Sequence, residues 1–351
     1  MSRIVPYLGY GTPERLLVLA RAVRGSGPRT PGPSDSAWRN ALNMLRRLRP
    51  DPIPRARVGA AVGATSFDLA ADEEGFVRAW VALPTPLRAG GLVPITFALL
   101  DAVDEAPSAP IVQATGESLV PHHEAELGVI SDIDDTIIQS HVTDFVRAAR
   151  TVLLGNARTR LPFPGVAAFY RALGGGGTAG NPIFFVSSSP WNLHDVIAEF
   201  MTLQGIPAGP LLLRDWDLGL SLVRRSGHHG HKGAQVREIL AAYPTLPFIL
   251  IGDSGEQDPE IYREVVRDHP DRILAVYIRD VTPDPARDAA IGALVEEVHK
   301  AGSTLILAEH TLAAAQHAAA QGWIEASALE EVEGDRASDE GRAPGKVATP
   351  G

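Results

Sequence analysis

The chain of 351 residues contains no cysteine. This absence excludes a disulfide-stabilised scaffold, a thiol nucleophile and a cysteine-ligated zinc site. The sequence also has no stretch near the roughly 18 uninterrupted apolar residues that predict a membrane-spanning helix. Residues 1–6 do not show the basic segment followed by an apolar segment that is typical of a secretion signal. We therefore expect a cytoplasmic protein without a transmembrane segment, which at most lies against a membrane surface.

Positive charge is scarce as well, because 32 Lys and Arg residues face 42 Asp and Glu residues, for a formal net charge of -10. This balance opposes bulk attraction to nucleic acid or to an anionic bilayer, so no nucleic-acid partner is expected. The contents of 45% hydrophobic and 21% charged residues are typical of a globular protein. The length is sufficient for two domains, each with its own core.

Residues 1–126 are predicted to form a smaller β-rich domain, a sandwich with one helix at 36–48, because short apolar segments alternate with turns. The apolar run at 16–19 fits a strand or a helix, since its periodicity does not decide between them. Residues 326–351 are acidic and rich in Gly, Ala, Ser and Pro, which predicts a disordered tail.

Residues 127–325 are predicted to form an α/β domain with a doubly wound parallel sheet, because strand candidates alternate with amphipathic helices. The strand candidates are 128–131, 183–187, 211–213, 248–251, 273–278 and 304–307. The helix candidates lie near 143–154, 165–173, 191–203, 233–242, 259–268, 286–300 and 311–320.

Polar side chains follow three of these strands, at the point where each strand ends. The runs are Asp132-Ile133-Asp134-Asp135-Thr136, Ser187-Ser188-Ser189-Pro190 and Gly252-Asp253-Ser254-Gly255-Glu256-Gln257-Asp258. Ligands bind to doubly wound sheets beyond the carboxyl ends of the strands, so these runs are expected to share one site.

Clustered carboxylates repel one another and need a compensating cation. A ligand set of carboxylates, a carbonyl and water suits Mg²⁺. An EF-hand calcium loop is excluded, because Ile137 and Thr143 stand where that loop needs glycine and glutamate. Asp258 precedes a proline and, taken alone, is read as a helix cap.

Lys232 is predicted to open the helix at 233–242. A cation at a helix N-terminus opposes the macrodipole, and such a misfit is typical of a functional residue. A lysine at this place can hold a phosphate oxygen and a carboxylate. The alternative interpretation is an exposed lysine in a loop rich in Gly and His.

In this order, the motifs resemble those of the haloacid dehalogenase (HAD) superfamily of phosphotransferases. Asp132–Thr136 is similar to its first motif, Ser187 to the second, Lys232 to the third, and Gly252-Asp253 with Asp258 to the fourth. Over roughly residues 127–285 the sequence more narrowly resembles the catalytic domain of actin-patch-type phosphatidate phosphatases. The resemblance implies a HAD-like Rossmannoid fold and Mg²⁺-dependent hydrolysis of a phosphomonoester.

The resemblance also implies a role for individual residues. Asp132 would be the nucleophile that forms an aspartyl-phosphate, and Asp134 the proton donor and acceptor. Ser187 and Lys232 would hold the phosphate oxygens. The metal ligands would be the Asp132 carboxylate, the Asp134 carbonyl and Asp253. Two further residues, Thr136 and Asp258, are predicted to orient the residues of this site without direct contact to the substrate.

The substrate is predicted less narrowly than the reaction. The short segments at 137–164 and 205–231 leave little room for a cap domain, which predicts a largely uncapped site and a large or surface-bound substrate. Four further residues are candidate substrate contacts, namely Ser188, Arg214, Arg225 and His231. The basic segment before Lys232 is either a collar for an anionic head group or a solvated loop.

Three functions remain open at this point. They are a phosphatase for phosphatidate or a similar lipid phosphate, a phosphatase for soluble phosphomonoesters, and a lipid- or protein-binding module that has lost turnover. The complete catalytic set favours an enzyme.

Overall fold

The computed structural model divides the chain into two compact units, residues 1–124 and 125–351. Residues 223–229 and 340–342 belong to helices, but the structure describes only their backbone and not their side chains. The predicted helices at 36–48 and near 143–154 lie outside the described residues. The described residues are 2–25, 51–88, 90–100, 112–137, 163–175, 180–214, 223–281 and 284–342.

The first unit contains one mixed sheet of eight strands. In sheet order these run β3-β2-β1-β8-β7-β4-β5, with β6 paired to β2, and only β1 and β8 pair in parallel. The ambiguous run at 16–19 lies in β2 and is a strand. The strands are β1 Ser2–Thr12, β2 Arg15–Arg24, β3 Asp51–Pro52, β4 Arg57–Val62, β5 Thr65–Ala70, β6 Phe76–Ala82, β7 Gly91–Leu99 and β8 Gln113–Val120.

This β-rich unit differs from the predicted sandwich, because the strands of its described residues are hydrogen-bonded into a single sheet rather than two. Buried side chains from distant strands of the sheet, such as Val18 in β2 and Val58 in β4, belong to one core cluster. Strand β5 at the end of the sheet also contacts β6. The sheet therefore curls around its core. Alternating patterns predict strands, but they do not decide whether the strands share one sheet or two.

The second unit contains a parallel six-stranded sheet in the order β11-β10-β9-β12-β13-β14. Strand β9 lies between β10 and β12, so the chain order reverses beside it. All six strands were predicted and are confirmed, with ends that differ by a few residues. They are β9 Gly128–Asp132, β10 Ile183–Pro190, β11 Leu211–Arg214, β12 Phe248–Asp253, β13 Ile273–Arg279 and β14 Thr304–Ala308.

Seven helices of the described residues belong to this unit. Helix α1 contacts α6 and α7, whereas α4 contacts both α3 and α5. The assignment to a HAD-like doubly wound fold remains a prediction. The helices are α1 Val166–Leu173, α2 His194–Leu203, α3 Val223–Ala242, α4 Asp258–Asp268, α5 Pro285–Lys300, α6 Thr311–Ala320 and α7 Ala328–Arg342. A 3₁₀ turn, Trp191–Leu193, precedes α2.

Helix α3 corrects the prediction for Lys232. The helix begins at Val223, so Lys232 lies in its middle and not at its first turn. The segment before Lys232 is rich in Gly and His, which are poor helix formers, and this composition led to the prediction of a loop. The prediction that Lys232 opposes the macrodipole is therefore wrong, because that effect is confined to the ends of a helix.

Helix α7 corrects the prediction of a disordered tail over 328–342. Val332 is fully buried, and Asp335 lies 2.9 Å from the Arg171 guanidinium. The backbone N–H of Gly165 donates to Asp339. An acidic segment with few apolar residues is typical of disorder, but these contacts with α1 and the loop before it anchor the helix. Residues 343–351 lie outside the described residues.

Candidate active site

The carboxyl ends of β9, β10 and β12 bring the predicted residues together. Val186 pairs with Asp132, and Ile251 pairs with Ser131, so the three strands end at a common edge. Polar and charged side chains at this edge are nearly inaccessible to solvent, and charged side chains are rarely buried in this way unless they are paired. The buried polar residues are Asp132, Asp134, Thr136, Ser187, Ser189, Lys232, Asp253, Ser254 and Asp258.

Lys232 reaches this edge from α3 and lies among three carboxylates. Its Nζ atom is 2.7 Å from Asp132 Oδ1, 3.0 Å from Glu256 Oε2 and 2.5 Å from Asp258 Oδ1. The oxygens of these three acids lie within 4.8 Å of one another, a spacing that suits a cation. Because the ammonium group lies within bonding distance of all three, we assign it as that cation.

Burial and charge act against each other in this cluster. Burial raises the pKa of Asp132 well above its usual value, Lys232 lowers it in part, and the neighbouring carboxyl groups raise it further. Burial alone would lower the pKa of Lys232, but Asp132 and Asp258 raise it well above its usual value. Lys232 is therefore held as an ammonium ion.

Asp258 belongs to this cluster and does not cap α4 through its side chain. It is the first residue of α4, accepts a hydrogen bond from Lys232 at 2.5 Å and accepts one from the Asp253 backbone N–H at 3.3 Å. A Cβ atom on Gly252 would lie 2.3 Å from Asp258 Oδ2, so only glycine leaves room for this carboxylate. The interpretation of Asp258 as a helix cap is wrong.

Asp134 is held by two serine hydroxyl groups. Ser187 Oγ donates to Asp134 Oδ2 at 2.8 Å, and Ser189 Oγ donates to the same oxygen at 2.9 Å. The Ser189 backbone N–H donates to Ser187 Oγ. Burial raises the pKa of Asp134, and the two hydroxyl groups lower it in part. Ser187, predicted to hold a phosphate oxygen, orients Asp134 in this structure.

One oxygen of the Asp253 carboxylate accepts hydrogen bonds, whereas the other is open, meaning that it has no hydrogen-bond partner among the described residues. Its Oδ1 atom accepts hydrogen bonds from the backbone N–H groups of Gly255 at 2.7 Å and Glu256 at 2.8 Å. Burial, followed by the charge of Asp258, raises the pKa of Asp253 to about 8. The buried Oδ2 atom has no hydrogen-bond partner within the described part of the chain.

The unpaired oxygens fit a divalent metal ion. Besides Asp253 Oδ2, the buried Asp132 Oδ2 and Asp134 Oδ1 atoms also lack hydrogen-bond partners among the described residues. Buried carboxylate oxygens need a donor or a cation. Lys232 contributes one positive charge against the five carboxyl groups of Asp132, Asp134, Asp253, Glu256 and Asp258. A divalent ion on the open oxygens of Asp132 and Asp253 would reduce the repulsion that remains.

The other predicted residues surround this centre less closely. Thr136 is buried and lines a cavity of about 20 Å³, roughly the space for one water molecule. Ser188 is half-buried at the end of β10, and Arg214 ends β11 beside Pro190. His231 precedes Lys232 in α3 and is half-buried. The fourth candidate substrate contact, Arg225, is in α3, and its side chain lies outside the described residues.

Three residues of the site had no role predicted from the sequence. Ser189 and Glu256 lie in the runs that follow β10 and β12, and those runs were the signal that could have identified them. Arg287 comes from α5 and donates to the backbone carbonyls of Ser254 and Glu256. Nothing in the sequence near Arg287 indicates this contact.

The comparison with protein families matches the segment that carries this site. Residues 127–280 match the family model described as the catalytic domain of phosphatidate phosphatase APP1. The match includes the ends of β9, β10 and β12 and the Lys232 region of α3. The predicted relationship to actin-patch-type phosphatidate phosphatases is confirmed for this segment.

Two curated yeast proteins are similar to part of the chain. Phosphatidate phosphatase APP1 of Saccharomyces cerevisiae is 32% identical over 154 residues, which cover 44% of this chain and 26% of that protein. An uncharacterized protein of Schizosaccharomyces pombe is 31% identical over 160 residues, which cover 45% of this chain and 26% of that protein. The chain thus matches about a quarter of the length of these relatives.

Among solved structures, a carbohydrate acetylesterase from Xanthomonas citri aligns with 84% of this chain and 75% of its own, at 13% identity and a TM-score of 0.28. A similarity this low supports no conclusion about fold or function.

Proposed function

We propose that the second unit is a Mg²⁺-dependent phosphatase that hydrolyses phosphomonoesters through an aspartyl-phosphate on Asp132. The observation that carries this proposal is the buried pair of Lys232 and Asp132, whose Nζ and Oδ1 atoms are 2.7 Å apart. A nucleophilic carboxylate must be ionised, and the ammonium group opposes the rise that burial causes in the pKa of Asp132. The match of residues 127–280 to a phosphatase catalytic domain supports the same reaction class.

In the first step, an oxygen of the Asp132 carboxylate attacks phosphorus and the bond between phosphorus and the ester oxygen breaks. The leaving alkoxide takes a proton from the Asp134 carboxyl group. Burial raises the pKa of Asp134, which favours the protonated form that this step needs. The hydrogen bonds from Ser187 and Ser189 hold Asp134 in place for the transfer.

In the second step, water attacks phosphorus of the aspartyl-phosphate. Asp134, now ionised, accepts a proton from this water, and the bond between phosphorus and the Asp132 oxygen breaks. Inorganic phosphate leaves and both side chains return to their starting protonation states. Division of one displacement into two steps is the general advantage of a covalent intermediate.

Asp132 and Asp253, with the backbone carbonyl of Asp134, are the residues that would hold Mg²⁺. When bound, the ion would neutralise charge on the phosphate oxygens and on the clustered carboxylates. In this arrangement Asp258 and Glu256 are assigned to the Lys232 ammonium group and not to the ion.

Phosphatidate or a similar lipid phosphate is the substrate class that we propose. Its support is the name of the yeast relative, a phosphatidate phosphatase that is 32% identical over 154 residues, and the match of residues 127–280 to a phosphatidate phosphatase catalytic domain. Within the described part of the chain, no helix is long and apolar enough to cross a membrane. An enzyme of this kind would meet its substrate at the membrane surface.

The predicted absence of a cap domain concerns, in part, the segment 138–162 outside the described residues, and it stays a prediction.

Phosphate release from a panel of substrates tests this proposal. The panel contains phosphatidate in mixed micelles and soluble sugar and nucleotide monophosphates, each with Mg²⁺ and with EDTA. We expect release from phosphatidate that requires Mg²⁺ and is lost in Asp132→Asn. Faster release from the soluble esters would reject the lipid substrate, and retained activity in Asp132→Asn would reject the nucleophile. A wild-type protein that releases nothing would favour a binding module.

A further inference from the structure

Arg287, on α5, donates two hydrogen bonds to the loop that follows β12. Its Nε atom donates to the backbone carbonyl of Ser254 at 2.8 Å, and its Nη2 atom donates to that of Glu256 at 2.7 Å. Both nitrogen atoms of the guanidinium end also bind the carboxylate of Glu260, on α4. One planar side chain thus joins the loop to two helices.

The loop that Arg287 holds supplies the site with two different groups. The backbone N–H groups of Gly255 and Glu256 donate to Asp253 Oδ1, which leaves Oδ2 as the open oxygen of that carboxylate. The Glu256 side chain reaches Lys232 at 3.0 Å. A shift of the loop would therefore rotate Asp253 and withdraw one of the partners of Lys232.

The contacts of Arg287 are directed at carbonyl groups on both sides of Gly255. Bonds to the carbonyls of Ser254 and Glu256 restrict the rotation of the backbone on both sides of Gly255. The N–H groups of Gly255 and Glu256 lie between these two carbonyls, so their direction towards Asp253 is restricted as well. The bidentate pair with Glu260 in turn fixes the plane of the guanidinium group, which an ammonium group cannot reproduce. The side chain of Arg287 is 23% exposed, so solvent competes only in part.

From these contacts, and resting on the function proposed above, we infer that Arg287 is a positioning residue for the metal site. It holds the loop at residues 254–256 so that Asp253 presents one oxygen to a divalent cation and Glu256 stays on Lys232. It acts through the backbone and does not itself touch the cation or the substrate. Supporting residues of this kind typically change metal affinity or activity by about 10- to 100-fold when they are replaced.

The competing explanation is an ordinary ion pair between helices. The chain offers a matched control for it, because Arg263 on α4 lies 3.5 Å from Glu297 on α5. This pair joins the same two helices without contact to the loop. Replacement of Arg263 therefore reports the effect of lost helix pairing alone.

The test measures binding of Mn²⁺ to the full chain by electron paramagnetic resonance, together with kcat and KM for the phosphomonoester hydrolysed fastest. In Arg287→Met we expect the Mn²⁺ dissociation constant to rise at least about tenfold and kcat to fall, with a smaller change in KM. In Arg287→Lys we expect most of the defect to remain, because charge without the planar fork cannot hold both carbonyls. In Arg263→Met we expect values within about twofold of the wild type.

An unchanged dissociation constant in folded Arg287→Met would overturn the inference, as would full recovery in Arg287→Lys or an equal loss in Arg263→Met. If Arg287→Met does not fold, Glu260→Gln carries the test from the other end of the bridge, and unchanged Mn²⁺ binding there overturns the inference too. A wild type that does not bind Mn²⁺ also overturns it. A wild type that binds Mn²⁺ without phosphatase activity rejects the proposed function, and Mn²⁺ affinities then decide the role of Arg287.

Discussion

The Nζ atom of Lys232 lies 2.7 Å from Oδ1 of Asp132, and both side chains are almost completely buried. The two residues come from the middle of α3 and from the end of β9. Isolated burial of either charge would be very unfavourable, so each residue depends on the other and on the acids around them. Substitutions at the groups that hold this pair in place should therefore change both stability and activity.

Replacement of Lys232 by Met should destabilise the second unit by about 3–5 kcal/mol at neutral pH, the usual cost of breaking a buried ion pair. Asp132 and Asp258 would then be buried without the ammonium group, and their pKa values in the folded state would rise further above the unfolded values near 4. A carboxyl group of this kind binds a proton on folding, so stability decreases as the pH rises. Urea unfolding should show a larger deficit at pH 8 than at pH 5.

The control for this prediction is Lys300→Met, which removes an exposed lysine 3.6 Å from Glu296 on the same helix. An exposed pair contributes less than about 1 kcal/mol, and its loss should not depend strongly on pH in this range. Equal deficits at pH 5 and pH 8 in Lys232→Met would contradict the assignment of buried carboxylates as the cause.

Removal of the Ser189 hydroxyl group should shift the pH profile of the reaction. This group donates to Asp134 Oδ2 and lowers the pKa of Asp134. In Ser189→Ala the pKa of Asp134 should therefore rise, and the protonated acid should persist to higher pH. In a plot of kcat/KM against pH, the alkaline limb should therefore move to higher pH.

Ser118→Ala is the control, because this buried hydroxyl donates to the Leu17 carbonyl in the other unit. Its pH profile should match that of the wild type. A downward shift of the alkaline limb in Ser189→Ala would show that Asp134 is not the acid of the first step.

Gly252→Ala should strongly lower the proposed phosphatase activity, because a Cβ atom there would lie 2.3 Å from Asp258 Oδ2. Asp258 would have to leave Lys232, and a displacement of about 1 Å at a catalytic group can cost about 100-fold in rate. Steady-state kinetics and thermal unfolding would both report the change. If activity and stability were both retained, the loop after β12 could move to admit the Cβ atom without loss of either, which would contradict this prediction.

At the exposed Gly292 in α5, the same replacement of glycine by alanine should stabilise the protein. A Cβ atom there meets nothing within 4 Å. Alanine is favoured over glycine inside a helix by about 0.8–1 kcal/mol, so Gly292→Ala should raise stability and leave kcat unchanged. A lower melting temperature in Gly292→Ala would contradict the description of α5.

Deletion of residues 328–351 should destabilise the second unit, because α7 buries Val332 and binds Arg171 through Asp335. Full burial of a valine side chain is worth at least about 1.5 kcal/mol. Calorimetry should therefore show a lower melting temperature. Glu331→Ala changes an exposed neighbour of Val332 and should alter stability by less than about 0.5 kcal/mol. An unchanged melting temperature after the deletion would contradict the anchoring of α7 and favour the predicted disordered tail.

Much of the second unit is predictable from sequence because its patterns are local. The apolar run at 248–251 identifies strand β12, and the acids that follow it must lie at the edge of the sheet once the strands are parallel. The aspartates at 132 and 134 follow an apolar run in the same way, and this position alone makes them candidates. The resemblance of this segment to a phosphatase catalytic domain is visible in the same runs.

The sequence by itself determined the order of the six strands along the second unit and the set of acids at their ends, because both depend on short-range patterns. Only the tertiary structure decided that Lys232 lies inside a helix, that Ser189 joins Ser187 on Asp134, and that α7 is anchored. It alone connected Arg287 to the loop after β12. These relationships depend on contacts between residues far apart in the chain, where packing overrides local preference, and a single sequence carries no pattern for them.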